Sequence, residues 1–258
     1  MITPHTKLHN LTGQIPARCF WLDMPSPMAA EIAGCAKPEL CVIDTEHGQI
    51  GPETVTGMLR ALDLSGVPAL VRVGDAGAGR IKHALDAGAA GVIVPFIETA
   101  EEASLAVRAF CTPPFGTRGL APAVSRAARY GADTDYARTW NDRGILALQI
   151  ETRKGLANAG VIAAIEGVDM LFFGPGDFSM DSGLDAARDG DKIMAACRAV
   201  IAAAHSAGKL AGVFPWPDRG DPASVIAEGA DLVAVGSDVR GLAQSLKAAL
   251  VACPLPEK

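Results

Sequence analysis

Eight short apolar runs recur along the chain with helix-like stretches between them, and this alternation constrains the fold more than any other feature. The runs cover 18–22, 40–44, 69–73, 91–95, 145–151, 170–174, 210–214 and 232–236. Each is too short for a buried helix and is nearly unbroken in hydrophobicity, as a strand covered on both faces must be. In the intervening stretches, Ile193, Cys197, Val200, Ile201 and Ala204 share one helical face, and Leu242, Leu246, Ala249 and Leu250 share another. Several helices end in glycine shortly before the next run, at Ala87-Gly88, Ala207-Gly208 and Glu228-Gly229, where a left-handed cap suits glycine. Eight such units in 258 residues specify an α/β fold, a (β/α)8 TIM barrel forming a single domain over 1–258 with its core at about 18–250. The alternative, an open doubly wound sheet, lacks the G-x-G-x-x-G turn after its first strand.

Composition narrows the class of protein. A net charge of -6 with no basic tract argues against nucleic-acid binding. No apolar stretch reaches the roughly 18–20 residues of a membrane span, and no leader segment opens the chain, so the expected location is cytoplasmic. Cys19, Cys35, Cys41, Cys111, Cys197 and Cys253 form no C-x-x-C pair and are read as small core residues in a reducing compartment.

In a barrel, chemistry is built where the strands end. The run Val42-Ile43-Asp44-Thr45-Glu46-His47-Gly48 ends in three ionisable side chains, and Asp44 can hold His47 in one tautomer for proton transfer. Against this stands the commoner fate of a lone histidine, a core residue with satisfied nitrogens. Glu151 and Asp177 close the fifth and sixth runs and make an all-oxygen pair suited to a hard divalent cation, magnesium or manganese before zinc. The competing reading is salt bridges to Arg72 or Arg153. Arg72 needs an anionic partner in the barrel interior, either a substrate carboxylate or enolate oxygen, or simply Asp44 or Glu46. Gly174-Pro175-Gly176-Asp177-Phe178-Ser179 offers free backbone amides as a carboxylate cradle, although an unliganded tight turn would read the same. The long connection 111–144 carries Arg118, Arg126 and Arg129, which either reach a distal anionic group or sit in a solvated loop. No lysine closes a strand, Lys209 being the nearest, so a Schiff-base route is disfavoured.

Ile43-Asp44-Thr45-Glu46-His47-Gly48, Val71-Arg72-Val73, Pro113-Pro114-Phe115-Gly116-Thr117-Arg118-Gly119, Gln149-Ile150-Glu151-Thr152 and Gly174 to Ser179 together resemble the HpcH/HpaI aldolase family. The resemblance runs from about Arg18 to about Leu250. It implies a class II, metal-dependent pyruvate aldolase that reversibly cleaves 4-hydroxy-2-oxo acids to pyruvate, or a close 2-oxo acid, and an aldehyde through a metal-stabilised enolate. By motif, Glu151 and Asp177 would ligate Mg2+ or Mn2+, with Co2+ or Zn2+ as substitutes. His47 with Asp44 would serve acid/base chemistry, Arg72 the enolate oxygen, Gln149 the orientation of pyruvate, and the amides of Gly176 and Asp177 its carboxylate. Asp86 matches a position that reaches a neighbouring subunit's site, in an oligomer that is typically a hexamer, a trimer of dimers, with the eighth helix packed on a neighbour. Two positions depart from the family pattern: Asp23, where glycine is more frequent, and Gly176, where alanine is usual. Oxaloacetate decarboxylation or acyl-CoA carbon-carbon cleavage would use the same enolate chemistry, and a non-catalytic barrel is the remaining alternative.

Overall fold

The computed structural model describes residues 2–215 and 221–253. Eight parallel strands close a barrel in sequence order: β1 (Ala17–Leu22), β2 (Leu40–Asp44), β3 (Ala69–Arg72), β4 (Gly91–Val94), β5 (Ile145–Ile150), β6 (Met170–Phe173), β7 (Leu210–Val213) and β8 (Leu232–Ser237). β8 returns to pair with β1, so no sheet edge remains open. Every apolar run becomes a strand whose ends agree with the sequence reading to within one residue.

Two apolar layers hold the barrel together. Inside, Cys19, Trp21, Leu40, Val42, Leu70, Ile93, Ala147, Met170 and Phe172 pack across the axis, and Leu8 of the N-terminal helix Pro4–Thr12 joins them. The interior is thus a packed core rather than a pore. Gly212 in β7 has a packing reason, because a Cβ there would overlap the Phe172 ring. Outside, the alternate strand residues meet the helices, among them Ile193, Cys197, Val200, Ile201 and Ala204 of the helix Gly190–Ser206, all buried as their spacing implied. Gly88, Gly208 and Gly229 all adopt the left-handed conformation.

The C-terminal helix Asp238–Ala252 buries none of its residues, so the Leu242, Leu246 and Leu250 face is left uncovered by the other described residues. Two expectations change. The connection 111–144 contains a 3-10 segment, Arg126–Gly131, and a helix, Tyr136–Arg143, whose Trp140 packs on Phe110. Among the six free cysteines, Cys35 and Cys253 are exposed rather than core residues, since one ends a helix and the other follows the last one. Among the described residues, no helix is long and apolar enough to cross a membrane.

Candidate active site

A cavity of about 420 Å³ opens at the carboxyl ends of the strands, lined by Trp21, Asp23, Asp44, His47, Arg72, Gln149, Phe172, Gly174 to Asp177, Phe214, Ser237, Val239 and Arg240. Its centre is Arg72. Asp44 and Arg72 are register partners on β2 and β3, so their side chains leave the barrel together. The guanidinium donates from Nε to Asp44 Oδ1 at 2.9 Å and from Nη2 to Oδ2 at 2.5 Å, while Nη1 lies 3.0 Å from Glu46 Oε2. The Trp21 ring supports it from below, 5.0 Å from the guanidinium carbon. Burial alone would raise the Asp44 pKa, but the Arg72 fork holds it below the ordinary carboxylate range. At Glu46 the balance reverses: burial wins over Arg72 and His47, and its pKa is raised.

The structure does not bring the Asp44 carboxylate and the His47 ring together. The Asp44 carboxylate is committed to Arg72 and reaches His47 only through that residue's backbone N–H, at 3.4 Å. The fork of a guanidinium matches a carboxylate better than an imidazole does, so Arg72 takes the partner. The His47 ring stands at the cavity mouth, with Nε2 3.9 Å from Glu46 Oε2 and 4.0 Å from Asp177 Oδ2.

Glu151 follows β5 and is almost completely buried. Its Oε1 accepts a 2.8 Å hydrogen bond from the backbone N–H of Phe96, and its Oε2 takes a very short contact from Gln149 Nε2. Neither arginine considered as its neutralising partner bonds to it: Arg72 serves Asp44 and Glu46, and Arg153 bonds Asp181 on the far side of the turn. Burial, reinforced by Glu46 and Asp177, pushes the Glu151 pKa up to about 7. Gly174 is required beside it, because a Cβ there would sit 2.6 Å from Glu151 Oε2.

The segment after β6 is the first turn of the helix Pro175–Ser182, which places Gly176 and Asp177 where backbone N–H groups lack intrahelical acceptors and the helix dipole favours an anion. Asp177 points toward His47 and the cavity and is partly exposed. Two carboxylates from adjacent strand ends, one of them buried with the Arg72 charge nearby but no cation bonded to it, fit a divalent cation, which would supply positive charge directly to Glu151 and Asp177. Among the described residues no lysine lines this cavity, and Lys209 lies at the amino end of β7, bonded to the Val168 carbonyl.

Asp86 and the loop arginines lie elsewhere. Asp86 ends the helix Ala78–Asp86 and accepts a 2.7 Å bond from Arg118 Nη2. The Arg118 side chain is wholly buried against the Trp140 and Tyr136 rings, neither solvated nor in the cavity. Arg126 ties Asp63 to the Ala87 carbonyl. Glu46 stands beside Arg72 as one of the two acidic partners the sequence offered, whereas Trp21 beneath Arg72 and Phe96, whose backbone positions Glu151, carry no signal in the strand ends considered. Extending the strand-end rule to the first and last strands would have found Ser237 and the cavity-facing Trp21.

A closed parallel barrel whose strand ends gather acidic side chains, a forked arginine and a histidine has the layout of a barrel enzyme, with charge placed to stabilise a developing anion. Residues 18–245 match the family model for HpcH/HpaI aldolase/citrate lyase. A hydroxypyruvate/pyruvate aldolase of Agrobacterium fabrum is 39% identical over 88% of this chain and 85% of its own length. A 2-dehydro-3,6-dideoxy-6-sulfogluconate aldolase of Pseudomonas putida is 45% identical over 62% of each chain. The crystal structure of a family member from Burkholderia cenocepacia superposes with a TM-score of 0.86 at 34% identity, covering 97% of this chain and 99% of that one. The chain belongs to the HpcH/HpaI aldolase family and is a lyase of the aldolase type, in a family that generally depends on divalent metal.

Proposed function

We propose that this aldolase cleaves 4-hydroxy-2-oxo acids to pyruvate and an aldehyde, and runs the reverse addition, with Mg2+ or Mn2+ held by Glu151 and Asp177. The observation that carries this is the buried Glu151 carboxylate, bonded to no arginine, at the strand end next to that of Asp177, which lines one cavity with Arg72 and His47. An all-oxygen donor pair favours these hard cations. Bound there, the cation would polarise the oxo group and lower the cost of the enolate.

The chain's own residues supply the rest. Substrate carboxylate fits the amides of Gly176 and Asp177 at the helix start. Gln149 lines the cavity with its Oε1 buried and without a hydrogen-bond partner, a group that orients a donor on the bound substrate or its water. Arg72, locked by Asp44 and Glu46, presents a fixed positive charge to the developing enolate oxygen without reorganising during the reaction. In cleavage, the C4 hydroxyl loses its proton, the C3–C4 bond breaks, the aldehyde leaves, and the electron pair rests in the enolate until a proton returns to C3. His47, at the mouth and free of a bond to Asp44's carboxylate, carries that proton directly or through a water.

The oligomer is part of the proposal. The uncovered apolar face of the helix Asp238–Ala252 suits a neighbouring subunit, and Asp86 lies outside its own chain's cavity, as a residue serving a neighbour's site would. The reading is tested by deuterium exchange into the pyruvate methyl group, followed by proton NMR, with added Mg2+ or Mn2+ and then with excess chelator. Metal-dependent exchange is the expected result; no exchange with any divalent metal, even with an aldehyde present, would sink it.

A further inference from the structure

A three-carbon 2-oxo acid fills only part of a cavity of about 420 Å³, and the remainder has its own chemistry. The carboxylate cradle and the acidic pair stand at the ends of β5 and β6. In a barrel closed in sequence order, β1 lies across the axis from β5, so Trp21, Asp23, Ser237 and Val239 line the opposite side, which leaves room for the aldehyde partner. Trp21 and Val239 give that side apolar walls, with Asp23 as its acidic side chain and Arg240 as its basic one.

Asp23 is held there by design of the turn. Asp238, at the start of the C-terminal helix, accepts the Asp23 N–H at 2.9 Å on one oxygen and the Met24 N–H at 3.1 Å on the other. The turn after β1 is thereby fixed, and the Asp23 side chain is left half-buried with Ser237, Asp44 and Asp238 as its polar neighbours. Burial and the Asp44 and Asp238 charges push its pKa up to about 6, so above neutral pH it is an ionised acceptor in a partly desolvated wall.

We propose that Asp23 selects the aldehyde: its carboxylate accepts a hydrogen bond from a hydroxyl on the acceptor, so the enzyme favours hydroxylated aldehydes over apolar ones of equal length and over aldehydes ending in a carboxylate. The inference rests on the aldolase reading above. A half-buried carboxylate loses a partner when the hydroxyl is missing, and its charge weighs against an anionic tail, so discrimination acts in both directions.

The test measures kcat/KM for addition of pyruvate to glyceraldehyde, propanal and succinic semialdehyde, in the wild type, Asp23→Asn and Asp23→Gly. Ratios between aldehydes cancel any loss common to all three. The glyceraldehyde-to-propanal ratio is expected to fall roughly tenfold or more in Asp23→Gly. The isosteric Asp23→Asn, which keeps the shape of the turn, should raise succinic semialdehyde relative to propanal. Unchanged ratios in both variants, or a wild-type preference for propanal, would overturn the inference while leaving the aldolase intact. Absence of metal-dependent methyl exchange in the wild type would instead strike at the underlying reading.

Discussion

The backbone N–H of Phe96, held at a left-handed φ of 52°, donates a 2.8 Å hydrogen bond to Oε1 of Glu151. A non-glycine residue in that region is strained by roughly 1–2 kcal/mol, so the turn after β4 is shaped to deliver the donor rather than to suit its own side chain. The Phe96 ring itself is largely exposed. Phe96→Gly keeps the N–H and relieves the strain, and is expected to leave metal affinity within about threefold. Phe96→Val, β-branched at positive φ, should cost about 1–2 kcal/mol relative to Phe96→Gly in urea unfolding. Equal stability of the two variants would show that the turn is not strained.

The Arg72–Asp44 fork ties catalysis to stability. Arg72→Ala strips a buried carboxylate of its counter-charge, which typically costs about 3–5 kcal/mol, so lost activity in that variant is ambiguous. Arg72→Lys retains the charge but not the fork, and turnover is expected to fall about 100-fold or more while the protein stays folded by circular dichroism. His47→Ala, at an exposed ring, should lower turnover by a similar order with little effect on melting temperature. Near wild-type turnover in either Arg72→Lys or His47→Ala would remove that residue from the mechanism.

The strands were legible because a parallel strand buried on both faces leaves a continuous apolar run, and the ionisable residues closing such runs stand out. What one sequence hides is direction. Asp44 lies three residues before His47, which suggested a dyad, but the register that sets Asp44 opposite Arg72 decides the partner. The sequence offers Asp44 both to His47 and to Arg72, and only the strand register decides between them. Phe96 was invisible because its contribution is a backbone donor, for which side-chain identity carries no signal. The helix Tyr136–Arg143 went unread because it is short, and its two buried residues, Tyr136 and Trp140, make no extended apolar stripe.

Metal binding should be proton-linked. The Glu151 carboxyl, buried and facing Glu46 and Asp177, titrates near 7 in the folded protein against an ordinary 4.5. The folded metal-free state therefore holds more protons than the unfolded chain between these values, and its stability falls as pH rises through that window. A cation must displace this proton, so its apparent affinity is expected to tighten about tenfold per pH unit below 7 and to level off above. Calorimetric titration of Mn2+ from pH 5.5 to 8, in buffers of different ionisation enthalpy, reads both the slope and the released proton. A pH-independent affinity would mean that Glu151 is ionised before the metal arrives.

The C-terminal helix sets the last expectation. Val239, Leu242, Leu246, Leu250 and Val251 are 44–80% exposed on Asp238–Ala252, which packs on its own barrel mainly at β1 and β8. An apolar stripe this long is expected to drive association, since burying it gains about 25 cal/mol per Å². Light scattering should give the wild type a mass several times the 26.6 kDa of one chain, with a trimer of dimers as the expected assembly. Leu246→Glu with Leu250→Glu places two charges in the stripe and should shift the mass toward the dimer or the monomer. If the neighbour also completes the site through Asp86, activity falls in step with the mass. A wild type that elutes as a single chain would instead make the stripe a docking surface for something other than its own copies.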